Sequence, residues 1–72
     1  MKPLERDTVF GGYRGEAVMI VATDDPTVVG LDGAMCEIEF YSPTGKSPVG
    51  TRKLVPLRAV EHLSGPGADL RS

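Results

Sequence analysis

The chain has 72 residues, 40% of them hydrophobic, a formal net charge of −2 and one cysteine, Cys36. That length allows one domain at most, and a domain so small buries only about 60% of its unfolded surface. One cysteine excludes an internal disulfide, no Cys/His cluster offers a structural zinc site, and the mild acidity excludes a global pull toward nucleic acid or anionic lipid.

A partner chain is the reinforcement left open, so homo-oligomerisation is expected. The lone cysteine fits a reducing compartment. Residues 1–7 lack the apolar stretch of a signal peptide, and the longest apolar run, 17–22, is far too short to span a membrane. The expectation is a cytoplasmic protein with no membrane contact and no cofactor.

In chain order, residues 1–6 read as an N-terminal arm and 7–63 as the domain. Thr8, Val9 and Phe10 make a short first strand, closed by Gly11 and Gly12. Residues 16–23 make the second, which departs from the alternation of a half-buried strand: 17–22 reads Ala-Val-Met-Ile-Val-Ala, apolar on both faces. One set of alternate residues must fill the core. The other is buried if the strand bends across two halves of a barrel, or else it meets another protein. Asp24, Asp25 and Pro26 end the strand, and a turn-rich loop carrying Val28, Val29 and Leu31 runs to Gly33.

The third strand, 34–41, alternates clearly. Ala34, Cys36, Ile38 and Phe40 form its core face, with Glu37 and Glu39 opposite. Residues 42–47 make a hairpin connection and 49–55 a fourth strand. Pro56 cannot continue a central strand, so 56–59 reads as one turn of 3₁₀ helix, and 60–63 as a brief last strand. Residues 64–72 lack apolar density and read as a disordered tail.

Five short strands joined by glycine and proline turns predict an all-β fold, a small five-stranded barrel whose closure removes exposed edges. With its 3₁₀ turn before the last strand, the chain resembles SH3-like barrels over residues 7–63. A second resemblance is local: Asp7-Thr8-Val9, Gly12, Gly15-Glu16-Ala17-Val18 and Ile20 resemble a KOW motif, a strand-loop-strand found in SH3-like barrels of ribosomal proteins and transcription factors. That family implies RNA binding through basic residues around the loop. Here only Arg14 is basic there, and acids stand at Glu16, Asp24 and Asp25.

Charge is segregated. Residues 16–39 hold six acids and no base, whereas 46–58 hold four bases and no acid. Cross-strand neutralisation is the simplest expectation.

Candidate chemistry is sparse. Thr44-Gly45-Lys46-Ser47 ends like a phosphate-binding P-loop, but Phe40 stands where the first glycine belongs, and Pro48 and Gly50 forbid the helix that must follow. Cys36 lies on the core face and His62 near the end of the domain, which does not make a nucleophile and base. Asp24, Asp25 and Asp32 lack the spacing of a calcium loop. Phe10, Tyr13, Phe40 and Tyr41 are the only aromatics, too few for a polyproline groove.

No reaction is indicated. The function expected is a non-enzymatic protein–protein interaction module, self-associating or an accessory subunit of a larger complex. Met19, Val28, Val29 and Leu31 would supply apolar contact, with Arg52, Lys53 and Arg58 as a charged rim. The alternative is a KOW-like RNA- or DNA-binding module using Tyr13, Arg14, Tyr41, Lys46, Arg52 and Lys53.

Overall fold

The structure, a computed structural model, describes residues 2–3, 9–30 and 32–65. Residues 66–72 of the expected tail, the rest of the expected arm and Leu31 lie outside the described residues. The fold is all-β: β1 (Lys2–Pro3), β2 (Val9–Tyr13), β3 (Glu16–Thr23), β4 (Met35–Phe40), β5 (Arg52–Pro56) and β6 (Glu61–Ser64). One helical turn, α1 (Pro26–Val29), follows β3, and a 3₁₀ turn (Leu57–Ala59) precedes β6 as expected.

The strands form one antiparallel sheet in the order β5-β4-β3-β2-β6, with β1 added beside the end of β3. Among the described residues the expected closure into a barrel is not made: β5 and β6 remain the ends of the ladder. Pro56 has no N–H to continue it, and the 3₁₀ turn occupies the gap instead. Leu57 donates its N–H to the Ala34 carbonyl at 3.0 Å, and Leu57 and Val60 are fully buried. Side chains therefore seal the side of the core that a ladder would have closed.

The core lies on one face of the sheet. Val9 and Tyr13 from β2, Val18 and Ile20 from β3, Cys36, Ile38 and Phe40 from β4, and Val55 from β5 pack there, joined by Ala34, Leu57 and Val60. This confirms the core face read from the third strand.

The apolar run in β3 has a local cause. Ile20 pairs with Ile38, but the next pair is Ala22 with Glu37, so Val21 is an extra residue opposite a single step of β4. This β-bulge shifts the alternation: Val18 and Ile20 are buried, and the next buried residue is Thr23, three positions on instead of two. The strand does turn across its length. Ala17, Met19, Val21 and Ala22 are left half-buried on the outer face.

The glycines divide into distinct kinds. β2 does not stop at Gly11 and Gly12 but runs through them to Tyr13, where a two-residue hairpin loop turns the chain. Arg14 (φ 51°) and Gly15 (φ 82°) are both left-handed, the signature of a type I′ turn. Gly11 faces the core, where a Cβ would lie 2.6 Å from Val60 Cγ1 and 2.9 Å from the Glu61 carbonyl oxygen. Gly12 faces outward, and a Cβ there would meet nothing nearer than 3.9 Å.

Between β3 and β4, one turn of helix replaces the expected loop. Asp25 Oδ1 accepts from the Thr27 N–H at 2.9 Å, and the Asp25 carbonyl accepts from Val28 and Val29. Asp25 is thus an N-cap and Pro26 the first helical residue, both favoured there. β6 ends at Ser64, one residue into the expected tail, and carries its own bulge against β2 at His62, left-handed at φ 56°. That backbone state costs a non-glycine residue on the order of 1 kcal/mol.

Two neighbouring substitutions should diverge in chemical denaturation. Gly11→Ala must push Val60 or β6 aside and is expected to lose about 1–3 kcal/mol. Gly12→Ala is expected to gain about 0.5–1 kcal/mol by restricting the unfolded chain.

Candidate interaction surface

The outer face of the sheet is built in rows. Phe10, Met19, Glu39 and Arg52 are successive cross-strand neighbours from β2 to β5, and Ala22, Glu37 and Leu54 form a second row. Arg52 Nε donates to Glu39 Oε1 at 2.9 Å, and its Nη1 lies 3.7 Å from Glu37 Oε1. One guanidinium therefore serves two carboxylates. At this exposure each pair contributes roughly 0–1 kcal/mol, and its main effect is to neutralise the face. Beside the row, Phe10 and Tyr41 meet edge to face with ring centroids 5.5 Å apart.

Among the described residues, no strand pairs with the outer edge of β5. Phe40 donates to the Thr51 carbonyl, and Gly50 (φ 90°) donates to the Phe40 carbonyl, a glycine bulge at the mouth of the β4–β5 hairpin. Counting in twos from that pair, Lys53 and Val55 direct their backbone groups to Ile38 and Cys36. Arg52 and Leu54 therefore direct their N–H and C=O groups away from the sheet. Leu54, midway along the edge, is 59% exposed.

A groove of about 410 Å³ opens beside the other edge of the sheet, between the Phe10 and Tyr41 rings and residues of β6. Gly12 and Gly15 contribute its floor.

The expected contact residues do not form one patch. Met19 is half-buried at the middle of β3, about 13 Å along the strand from Thr23. Val28 and Val29 are 78% and 49% exposed, on α1 beyond that end. Arg52 is held by Glu39, and Arg58 donates to the Asp32 carbonyl. Lys53 Nζ lies 5.4 Å from the Tyr13 ring centroid, on the core side.

The nucleic-acid set is also divided. Tyr13, Arg14 and Lys53 do come together, the Arg14 guanidinium carbon lying 5.5 Å from the same ring. Yet Tyr13 is a core residue, edge to face with Phe40, so its ring is not offered to a base. Tyr41 stands with Phe10, Arg52 is engaged by acids, and Lys46 is exposed in the β4–β5 connection.

The P-loop-like string does cup an oxyanion, and it is the protein's own. Ser47 donates its N–H to Glu16 Oε1 at 2.7 Å and its hydroxyl to Oε2 at 3.4 Å. The other acids are used locally as well. Asp24 Oδ2 accepts from the Met35 N–H at 3.0 Å, and Asp25 caps α1. Among the described residues, no group of three His, Cys, Asp or Glu side chains is gathered as a metal site. Cys36 is buried in the core and His62 stands out on β6, so the two are not brought together. No helix among the described residues is long and apolar enough to cross a membrane.

No family model, curated protein or solved structure matches the chain. Function must therefore be argued from the surface itself. Sequence reading passed over Leu54, because residues 52–55 do not alternate: a lysine and a valine share the core side, with Lys53 reaching past the core's rim to Tyr13. It also passed over Gly12, where the signal was present. A glycine inside a strand marks either a bulge or a close approach.

The Glu16 clasp ties the β4–β5 connection to the start of β3. Glu16→Ala is expected to lose about 1.5–3 kcal/mol in urea denaturation, the range for a hydrogen bond to a charged acceptor. The Ser47 amide should also exchange hydrogen faster.

Proposed function

We propose that the protein is a non-enzymatic interaction module that self-associates by adding the β5 edge of one copy to that of another. The observation that carries this reading is the exposed Leu54 at the centre of a strand edge that no other strand pairs with among the described residues. Native proteins usually blunt such edges with short strands, lysine and proline, and β5 carries Arg52, Lys53 and Pro56. Leu54 between them nevertheless presents a large apolar side chain that can template a further strand.

The geometry is self-complementary. An antiparallel pairing about a two-fold axis at Leu54 sets Lys53 opposite Val55 of the second copy, and Arg52 opposite Pro56. No like charges meet directly. A register centred on Lys53 would oppose lysine to lysine and present backbone groups already bonded to β4. The Leu54 register gives about four new backbone hydrogen bonds, each contributing roughly 0.5–1.5 kcal/mol net. A short edge of this kind should give a weak, concentration-dependent dimer. The same reading places the protein in the cytoplasm, where its one thiol stays reduced.

Light scattering on a size-exclusion column tests this. The mass should rise from monomer toward dimer with concentration and be insensitive to salt, unlike a phosphate-binding complex. Leu54→Lys, which sets like charges across the two-fold axis, should hold the protein monomeric with unchanged circular dichroism. A monomer at every concentration would overturn the proposal.

A further inference from the structure

The groove beside β2 and β6 gathers three features that the fold does not require. The first is Gly12. Its φ lies outside the left-handed region, and a Cβ there would have ordinary room. Glycine inside a strand weakens it, so its presence where alanine would fit needs another reason. Here the missing side chain leaves the groove floor open.

The second is His62, held left-handed in the β6 bulge with its side chain 89% exposed and lining the groove. Strained residues of this kind concentrate at functional sites. The third is the lining chemistry. Phe10 and Tyr41 supply two rings, while among the described residues the charged side chains are the acids Glu16 and Glu61, with no lysine or arginine in the lining. Glu16 is clasped by Ser47, which leaves Glu61, well exposed, as the carboxylate facing a ligand.

Beside Glu61 Oε2 stands His62 Nε2, 4.0 Å away. Aromatic rings and an exposed carboxylate are together what a guanidinium recognises. It stacks on rings through its plane and donates to a carboxylate at its edge. We propose that this groove binds an arginine side chain carried by an extended segment of a partner polypeptide. The segment lies over Gly12, the guanidinium packs against Phe10 and Tyr41, and Glu61 accepts its hydrogen bonds. The proposal rests on the reading of this protein as an interaction module, but not on the β5 edge.

The test is a nuclear magnetic resonance titration of the full ¹⁵N-labelled chain with acetyl-Ala-Arg-Ala-amide, against the same peptide bearing neutral citrulline. Saturable shifts at Gly12, Glu61 and His62 are expected with the arginine peptide, and binding about tenfold weaker or more with citrulline. Gly12→Val should abolish those shifts while the protein still unfolds at the same temperature or higher. If that variant does not fold, Gly12→Ala should weaken binding by narrowing the floor, and Glu61→Gln should remove the preference for arginine over citrulline.

Absence of saturable shifts, equal binding of the two peptides, or unchanged affinity in the glycine variants would overturn the proposal. None of these variants touches the β5 edge, so a failure there appears separately in the solution mass.

Discussion

Everything in this domain depends on β3 serving two neighbours at once. It pairs with β2 along one edge and β4 along the other, and near its end it also receives Lys2 and Pro3. A strand in that position must keep facing one core while the sheet twists around it. The bulge at Val21 provides the turn. Were Val21 paired in a regular ladder instead of bulged, Ala22 would point inward and Thr23 outward, and the wall completed by Cys36 and Val55 would lose its facing partner. An apolar sequence on both faces is what makes the shift tolerable, since either parity presents carbon to the core.

The acids show a second economy. Segregation along the chain becomes neutralisation in space: Glu37 and Glu39 share Arg52, Glu16 holds the Ser47 turn, and Asp24 and Asp25 organise the segment between β3 and β4. The contacts are individually weak, and several fix loops that have few apolar residues to anchor them. The acidic total therefore does not translate into a free negative face along β3 and β4.

Much of the fold was legible because it follows from period and punctuation. The strict alternation of 34–40 predicts the core face of β4, and Pro56 predicts the 3₁₀ turn. Three features were not legible. Closure depends on which residues fill the gap between outer strands, and the burial of Leu57 and Val60 there is a tertiary outcome. The length of β2 was misread because Gly11 and Gly12 resemble a turn, whereas the close pass of Val60 over Gly11 explains one of them within a strand. The apolar contact residues expected from the sequence rest on hydropathy alone. Hydropathy separates neither Val28 on its helical turn from Met19 on its strand, nor a backbone edge such as Leu54 from a buried one.

Cys36 has zero exposure near the start of β4, flanked by Thr23 on β3 and Val55 on β5. A reagent that modifies thiolates must wait for that wall to part, so the rate of labelling falls below that of a free thiol by the fraction of time the sheet is open. In a reducing environment such openings leave no mark. Under oxidative stress each opening becomes an opportunity for irreversible modification, and a copy that opens often would be retired before one that stays shut. Thiol labelling would therefore report how tightly the two neighbouring strands close over that one sulfur atom.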